Sequence, residues 1–510
     1  MKHIKKVVTL LLSAVMVLMM GSVSFAAAGD LTVDAKVTVT GFEAGDTVTA
    51  YQFVTWDAAN NQWKVADGVG LTLAQITDGL TKEELATLAK HTDKMTAVTG
   101  TTTGTTWEKT CGTVATAGSY LVLVTANDAQ HIYNPAVVSA DFSSTSVSTV
   151  ALTEDTAMIK KQDVEVDKKA DVAPDDYDVQ VGDIVPFTVK VTVPQYNDNW
   201  TAPTFEVKDQ LSTGLSLEVL PTIAGLTAGT DYTLTGAKGD KSFTITFSEN
   251  YLKTHASAAL EIKYSAKVGE DVKDAAQVHV ETNKVTVKFS NDPTNTDSHK
   301  TIEDETHHYT FSIDANRKGT QGGKTMELIK VGVDKDGNPI TTYKEGEALP
   351  DKVSPLAGAE FTLTGVGPNK EGQTVLTATS GADGSIHFEN LEAGTYTLKE
   401  TKAPAGYIKD TGEHTVVISA EYNDDTTLKS YKITIDGADI ATYTATTNAE
   451  EEIVITPGDN NQSFPINDPK GAELPSTGGI GTIIFYTLGS LLVIGCGIVL
   501  ISRRRMENNK

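Results

Sequence analysis

Cysteine is nearly absent from this chain of 510 residues, which contains only Cys111 and Cys496. Cys496 lies in an apolar segment close to the C-terminus, apart from the polar body of the chain. Cys111 therefore has no partner there, and we expect the body of the protein to hold no intramolecular disulfide. A lone cysteine of this kind is expected to pack as a small buried hydrophobic side chain.

Positive charge is also in short supply. The chain has 42 lysine and arginine residues against 67 aspartate and glutamate residues, which gives a formal net charge of −25. A surface of this sign keeps chains soluble and repels nucleic acid and anionic membranes. Nucleic acid is therefore not expected among the partners.

Patterns that would indicate an enzyme or a cofactor site are missing as well. The sequence has no Ser/His/Asp signature and no phosphate-binding loop. The pair His307 and His308 has no third ligand at metal-site spacing, and residues 334–338 resemble a β-turn more than a calcium loop. We expect no cofactor, no metal and no catalytic turnover.

The N-terminus has the pattern of an export signal. Lys2, Lys5 and Lys6 precede an apolar run over residues 7–20, and small residues follow it. This order is typical of a secretory signal peptide with its cleavage site, so residues 1–28 are predicted to be removed.

The C-terminus carries a second apolar run. Residues 480–501 are 22 uncharged positions, followed by Arg503, Arg504 and Arg505. At about 1.5 Å per residue a helix of this length crosses a ~30 Å hydrocarbon layer. The arginines predict that the C-terminus stays in the cytoplasm.

A pentapeptide stands just before this run: Leu474, Pro475, Ser476, Thr477 and Gly478. It matches the LPxTG sorting signal of Gram-positive surface proteins, in which motif, helix and basic tail follow in this order. The resemblance implies that a sortase cuts between Thr477 and Gly478 and passes the Thr477 acyl group to an amine. We therefore expect a secreted protein anchored to the peptidoglycan of the cell wall.

Between its two ends the chain has short alternating strands separated by Gly, Asn and Asp turns, a pattern typical of β-sandwiches. One helix is predicted over residues 82–91, because Thr81 and Glu84 form a capping box. The predicted divisions are a signal peptide at 1–28, a first domain at 29–158, a second at 159–293, a polar connector at 294–325 with one strand at 309–313, a third domain at 326–470, and the sorting signal, helix and tail at 471–510.

One repeat links the second and third domains. Each begins with a strand that carries a lysine, Lys168 or Lys330, and each ends in Asn-Asp-Pro, with Asn291 or Asn467. A lysine in the first strand and an asparagine in the last can lie side by side across one sheet. A buried, neutral amine can then attack the asparagine amide, helped by a carboxyl group with a raised pKa, and form an isopeptide bond as ammonia leaves.

The third domain contains a long motif of known type. Residues 396–407 read YTLKETKAPAGY, which resembles the E-box YxLxETxAPxGY of pilin-type CnaB domains. The resemblance implies that Lys330 is joined to Asn467 and that Glu400 is the assisting acid. It also implies tandem Ig-like, CnaB-type sandwiches, and so a mostly β chain.

The second domain resembles the fimbrial isopeptide-forming middle domain through residues 207–215, VKDQLSTGL. The implied set is Lys168, Asn291 and the acid Asp209. Lys169 would face the opposite side of its strand, because strand side chains alternate. Two further residues remain rivals within this set: Asn283 and Glu261.

The whole layout resembles a major (backbone) pilin of Gram-positive sortase-assembled pili, which also needs an acceptor lysine. In that family the lysine lies in a YPKN-type motif between the first two domains. Residues 158–162 read MIKKQ at this place, so the Tyr-Pro is absent. Lys161 is the expected acceptor and Lys160 the second choice.

Two functions follow from these patterns. The first is a structural shaft subunit whose partners are a sortase, identical subunits and peptidoglycan, with ancillary pilins and a host ligand as further candidates. The second is a monomeric wall-anchored adhesin, or an ancillary or basal pilin, in which the linker lysines are simply solvated. The two differ in whether a lysine receives the Thr477 acyl group.

Overall fold

The computed structural model describes residues 34–142, 146–148, 150–272, 277–314, 326–341, 343–344, 347–366, 374–448, 453–471 and 480–507. The predicted signal peptide and the sorting pentapeptide lie outside these residues. The described chain is mostly strand, which confirms the predicted fold class. It divides into two compact units, the first with described residues of 34–176, 182–271 and 281–307, and the second with those of 177–181, 272–280 and 308 onward.

The first eleven strands open the first unit: β1 Ala35–Thr40, β2 Thr47–Asp57, β3 Gln62–Val65, β4 Thr96–Val98, β5 Thr101–Thr103, β6 Thr106–Cys111, β7 Gly118–Thr125, β8 His131–Tyr133, β9 Ala136–Ala140, β10 Asp155–Met158 and β11 Lys161–Asp163. They form sheets in the orders β10-β1-β6-β5 and β3-β2-β7-β9, with β4 on β2, and a β11–β8 pair. Their apolar faces share one core, in which Cys111 is fully buried, as predicted.

Two short helices follow β3: α1 Leu73–Asp78 and α2 Lys82–Lys90. The Thr81 hydroxyl accepts a hydrogen bond from the Glu84 amide, and the Glu84 carboxylate accepts one from the Thr81 amide. This capping box satisfies backbone donors that the first turn leaves unpaired, and it confirms the predicted helix. α1 has its own capping box but only six residues, too few for an apolar periodicity to reveal it.

Nine strands and one helix continue the chain: β12 Val166–Ala170, β13 Ile184–Thr192, β14 Phe205–Leu211, β15 Leu215–Ile223, β16 Tyr232–Thr235, β17 Ser242–Phe247, α3 Glu249–Thr254, β18 Ala259–Val268, β19 Val278–Ser290 and β20 His299–Ile313. One sheet has the order β12-β13-β18-β15, and the strands β16-β17-β14-β19-β20 form the other. Buried residues alternate along these strands, so each sheet turns one apolar face inward.

The segment predicted as a polar connector contains a strand of 15 residues, β20, which is longer than the short strand predicted at 309–313. Its first half is mostly polar and exposed or half-buried, so it lacks the apolar alternation by which strands are recognised. It is nevertheless a strand, because it is hydrogen-bonded to its neighbour β19 in the sheet. The three-domain division of the chain stays a prediction.

Eleven described strands that follow residue 326 belong to the second unit: β21 Leu328–Val333, β22 Val353–Pro355, β23 Glu360–Val366, β24 Thr374–Thr379, β25 Phe388–Leu391, β26 Gly394–Lys402, β27 Glu413–Tyr422, β28 Leu428–Ile435, β29 Ala438–Thr447, β30 Ile453–Pro457 and β31 Phe464–Pro469. The sheets have the orders β22-β21-β31 and β24-β23-β26-β27-β28-β29-β30. β21 pairs with β31 in parallel, so the strand that opens this series lies beside the one that ends it.

The last element is the helix α4, Ile480–Glu507. Residues Ile484–Met506 have a mean hydropathy of 2.4 and are long and apolar enough to cross a membrane. The helix therefore has the length and composition that the sequence predicted for the C-terminal run.

A close approach in the first unit requires glycine at position 118. Gly118 has a φ of +121°, and a Cβ there would lie 1.9 Å from the carbonyl oxygen of Val54, beside a bulge in β2. We expect Gly118→Ala to lower the free energy of unfolding by more than about 2 kcal/mol. Gly104, at φ +58° with open space around its Cβ position, is the matched control, and Gly104→Ala should cost only about 1 kcal/mol. Urea unfolding followed by tryptophan fluorescence measures both, and equal losses would contradict the clash.

Candidate isopeptide sites

Lys168 lies in the middle of β12 with its side chain fully buried. Strand alternation turns it toward the facing sheet, whereas the side chain of the next residue, Lys169, is 54% exposed and pairs with Asp171. The register places Lys168 opposite Val189 in β13, so the lysine stem lies among inward-facing apolar residues of that sheet. The fold therefore selects the first of two adjacent lysines.

Three polar groups meet the Lys168 amine. Its Nζ lies within hydrogen-bonding distance of the Asp209 carboxyl, of Tyr264 Oη at 2.6 Å and of Asn283 Oδ1 at 2.8 Å. Asp209 comes from β14 and Asn283 from β19 of the opposite sheet, and both side chains are fully buried. The structure thus brings an amine, a carboxyl and a primary amide together inside one sandwich.

The predicted partner Asn291 is not at this site, which corrects the pairing of Lys168 with Asn291. Its Nδ2 donates to the Ala126 carbonyl at 3.4 Å, and its Oδ1 accepts from Ser298 at 2.9 Å. Asn283 and Asn291 are eight positions apart on one extended segment, which corresponds to about 27 Å. The amide that reaches Lys168 is the earlier one, Asn283, which the sequence analysis named as a rival.

The other rival, Glu261, faces away from this site. Its carboxylate lies 3.8 Å from Lys190 Nζ and 3.4 Å from Lys263 Nζ, and about half of its side chain is exposed. It has no place in the buried cluster.

Desolvation sets the protonation of the Lys168 pair. Burial lowers the pKa of Lys168, although Asp209 acts in the opposite direction. Burial raises the pKa of Asp209, with Lys168 and Tyr264 opposing it. Both directions favour a neutral amine beside a carboxylic acid, which is the pair that nucleophilic attack on an amide requires.

The second unit contains a related cluster around Lys330, in β21. The Lys330 Nζ lies 2.9 Å from Glu400 Oε2 and 2.5 Å from Asp468 Oδ1, and all three side chains are buried. The backbone amide of Asp410 donates to both carboxyls, at 3.0 and 3.1 Å. Glu400 comes from β26, within the E-box, and Asp468 from the last strand, β31.

The predicted partner Asn467 points elsewhere, which corrects the pairing of Lys330 with Asn467. Its amide exchanges hydrogen bonds with the backbone of Ile340 at 3.0 and 2.9 Å. In the parallel β21–β31 register, Lys330 is opposite Ile466 and Asn467 is opposite Val331. Because the side-chain period is two, Asp468 shares the face of Lys330 and Asn467 takes the other face.

Glu400 is tuned for proton transfer near neutral pH. Burial raises its pKa to about 7, while the hydrogen bond from Lys330 acts in the opposite direction. A carboxyl with this pKa is present as both acid and base near neutrality, which suits a proton shuttle.

The predicted acceptor lysines lie at the start of β11. Lys161 Nζ is 2.6 Å from Glu43 Oε1, and its side chain is 39% exposed. The hydrogen bond with Glu43 is the main cause of its raised pKa, so the amine is held as an ammonium ion. Lys160 is exposed, and its carbonyl accepts from the Asn134 amide at 2.9 Å.

Three residues of these clusters were missed by the sequence analysis: Tyr264, Asp468 and Asp410. Strict alternation from Ile466 would have favoured Asp468 over Asn467. Tyr264 is a buried strand residue, and a tyrosine at such a position is usually read as part of the hydrophobic core. Asp410 contributes its backbone amide, which no residue pattern reveals. The sequence therefore carried no signal for either residue.

Comparison with known proteins gives two family matches. Residues 338–434 match SpaA, described as a prealbumin-like fold domain, and residues 466–508 match the LPXTG cell wall anchor motif. The predicted sorting pentapeptide falls inside the second match. The two matches confirm that the chain carries a domain of this fold and a wall anchor.

Curated relatives extend the likeness to the rest of the chain. The trypsin-resistant surface T6 protein of Streptococcus pyogenes serotype M6 is 23% identical over 92% of this chain and 95% of that protein. Fimbrial subunit type 2 of Actinomyces naeslundii is 28% identical over 64% of this chain and 58% of that protein. The solved T6 backbone pilin of S. pyogenes has a TM-score of 0.59 at 19% identity and covers 88% of this chain and all of its own, which shows a shared fold. The resemblance read from the motifs is confirmed.

A matched pair of variants tests the Lys168 cluster. Lys168→Ala leaves the Asp209 carboxyl buried without its lysine partner, and we expect a loss of about 3–5 kcal/mol in the free energy of unfolding. The neighbouring change Lys169→Ala removes an exposed lysine and should alter stability by less than about 0.5 kcal/mol. Urea unfolding curves of the two variants measure this difference, and similar midpoints would show that burial of Lys168 is not decisive.

Proposed function

We propose that this chain, a wall-anchored surface protein of the Gram-positive pilin type, is the repeating subunit of a covalently assembled pilus shaft. A sortase would join Thr477 of one subunit to a lysine amine of the next. Such head-to-tail contacts build open filaments. The last subunit added would be joined to peptidoglycan instead, so the fibre stands on the cell wall and supports adhesion.

The observation that carries this proposal is the length of the resemblance. The likeness to the T6 surface protein extends over 92% of this chain, and the match to the anchor motif covers its C-terminal end. A protein that shared only an anchor with pilins would match at its tail alone. A structural subunit, with a sortase acting on it, accounts for both matches.

Lys161 is the proposed acceptor of the Thr477 acyl group, with Lys160 as second choice. Lys161 is on the surface at the start of β11, and its amine is positioned by Glu43, whose backbone amide donates to the side chains of Asp46 and Tyr133. Because the ion pair holds Lys161 as an ammonium ion, the sortase would have to remove a proton before the amine attacks.

A second part of the proposal is one internal amide bond in each unit. In the first, Lys168 Nζ bonds to Asn283 Cγ, the Cγ–Nδ2 bond breaks, and ammonia leaves with a proton from the lysine. Asp209 is the proposed acid. The buried contacts among the three side chains support this assignment.

In the second unit the carbonyl partner is an acid, so the leaving group changes. Lys330 Nζ bonds to Asp468 Cγ, one carboxyl oxygen leaves as water, and Glu400 carries the proton. The distances of 2.5 Å to Asp468 and 2.9 Å to Glu400 support this pairing. Each bond would form once, within one molecule, after the chain has folded. The protein is therefore not proposed to be an enzyme.

The alternative function, a monomeric wall-anchored adhesin or a basal pilin, is favoured by one observation. The Tyr-Pro of the acceptor motif is missing before Lys161, and that lysine is already engaged by Glu43. If the ion pair is a simple surface contact, the chain would reach the wall without polymerising.

The internal bonds are tested by intact mass and cross-linked peptides of the full chain. The wild-type protein should be lighter than its sequence by one ammonia and one water. Asn283→Ala should abolish the ammonia loss and Asp468→Ala the water loss, because each removes the carbon that the lysine attacks. The controls Asn291→Ala and Asn467→Ala should retain both losses. A loss that disappears in a control variant instead would overturn the corresponding pairing.

The acceptor is tested in native cells by immunoblotting wall extracts. Wild-type cells should give a ladder of high-mass polymers, Lys161→Ala should leave only wall-linked monomer, and Lys160→Ala should keep the ladder. A ladder lost in Lys160→Ala alone would move the acceptor by one residue. Wild-type extracts without any ladder would reject the shaft and favour the adhesin.

A further inference from the structure

Tyr264 lies among the reacting atoms of the first unit. It belongs to β18, opposite Phe187 of β13. Its hydroxyl accepts hydrogen bonds from Lys168 Nζ at 2.6 Å and from Asn283 Nδ2 at 2.9 Å, and it donates to Asp209 Oδ2 at 2.7 Å. One donated and two accepted bonds use the full capacity of a phenol. Among the described residues, the Tyr264 hydroxyl is thus the polar group that contacts nucleophile, leaving group and acid together.

Formation of the proposed bond requires a proton donor for the leaving nitrogen, Asn283 Nδ2. An amide nitrogen leaves as ammonia only after it has gained a proton. Asp209 is the acid of the site, but its hydrogen bonds within the described structure go to Lys168 and Tyr264. Asn283 Nδ2 donates to Tyr264 instead. The contact path from acid to leaving group therefore passes through the phenol oxygen.

We propose that Tyr264 is the proton relay of this site and delivers to Asn283 Nδ2 the proton that Asp209 gives up. This inference rests on the proposed Lys168–Asn283 bond and adds a catalytic residue to it. When Lys168 Nζ has bonded to Cγ, Nδ2 becomes an amine with a free lone pair. The Tyr264 O–H, which donates to Asp209 before reaction, turns toward this lone pair and gives its proton to Nδ2, while the protonated Asp209 carboxyl gives its own proton to Oη.

The step closes without any outside reagent. The Cγ–Nδ2 bond breaks and ammonia leaves. The proton shed by Lys168 Nζ returns to the Asp209 carboxylate, through their direct contact. Tyr264 and Asp209 end in the protonation states in which they began, and the only product besides the new amide is ammonia.

The surroundings of Tyr264 suit this role. Its ring is stacked on Phe187 at a centroid distance of 5.3 Å and meets Phe243 edge-on at 4.8 Å, so the hydroxyl is held in place before reaction. Burial, and then the Asp209 charge, raise the pKa of Tyr264 well above its ordinary value. The phenol therefore keeps a proton available for transfer.

The second unit provides an internal comparison. There Lys330 Nζ contacts the carboxyls of Glu400 and Asp468, and the leaving oxygen belongs to Asp468 itself. Glu400 and Asp468 also share the Asp410 amide as a donor, so acid and leaving group lie within one hydrogen-bonded set. No relay through a tyrosine is needed for a proton to pass between them, and the water loss should not respond to changes at Tyr264.

The test follows bond formation in full chains that are purified in denaturant and then refolded. Ammonia loss and the Lys168–Asn283 cross-linked peptide are measured over time by mass spectrometry. Tyr264→Phe removes only the hydroxyl and should slow ammonia loss by about a hundredfold or more. Water loss in the second unit should keep the wild-type rate and serves as the reference in every sample.

A matched control is available in Tyr196, a buried tyrosine of the same unit whose hydroxyl bonds to the carbonyls of Thr204 and Ser290. Tyr196→Phe loses a buried hydroxyl of the same kind but should form the Lys168–Asn283 bond at the wild-type rate. If both variants slow ammonia loss equally, Tyr264 acts only through stability. If Tyr264→Phe reacts at the wild-type rate, the relay is overturned.

A second measurement uses the wild-type chain alone and covers the case in which Tyr264→Phe does not fold. The rate of ammonia loss is recorded in mixtures of water and heavy water. A curved dependence on the deuterium fraction indicates two protons in transfer and supports the relay, whereas a straight line overturns it. If the wild-type chain loses no ammonia at all, the proposed bond itself fails, which is a separate outcome.

Discussion

The removal of a lysine amine from water is the constraint on which both units depend. An uncompensated buried charge costs several kcal/mol, so the fold must supply a partner for Lys168 and for Lys330. Asp209 does so in the first unit, and Glu400 and Asp468 do so in the second. Burial raises the pKa of Asp209 and of Glu400 and lowers that of Lys168, which favours the protonated carboxyl and the neutral amine that amide formation requires. Burial of these lysine amines and carboxyls therefore determines both which side chains must pack together and which protonation states are favoured for the proposed reaction.

The proposed covalent closure of each unit would give a reason for the scarcity of cysteine. Cys111 is fully buried, and burial raises the pKa of its thiol, so it is a poor nucleophile and a packing residue. An amide between Lys168 and Asn283 would join positions 115 residues apart. A crosslink closing a loop of ~100 residues restricts the unfolded chain by about 4–5 kcal/mol on the loop-closure estimate. Unlike a disulfide, an amide is insensitive to reducing conditions, and in a shaft it would carry tension between early and late strands of each unit.

Local patterns were enough to predict a mostly β chain, one of its helices, and the lysine and assisting acid proposed for each site. The capping box at Thr81 located α2. Lysine in an opening strand and acid in a motif strand identified the nucleophiles and their carboxyl partners. The third member of each site was not found this way. The Asn-Asp-Pro repeat drew attention to Asn291 and Asn467, but it marks the ends of strands and not the positions that face the lysines.

The sequence by itself predicted an export signal and determined the anchor, the mostly β character and the residue types capable of amide chemistry, because these depend on composition and on short-range periodicity. Only the tertiary structure decided which carbonyl meets which amine. That choice depends on the register between strands that are far apart in the chain. A difference of one residue, as between Asn467 and Asp468, places the side chain on the opposite face of the strand, and a difference of eight residues, as between Asn283 and Asn291, moves it along the strand by about 27 Å. The same holds for Tyr264, which looks like any core tyrosine until two sheets close around Lys168. Its role follows from three hydrogen bonds to residues between 19 and 96 positions away.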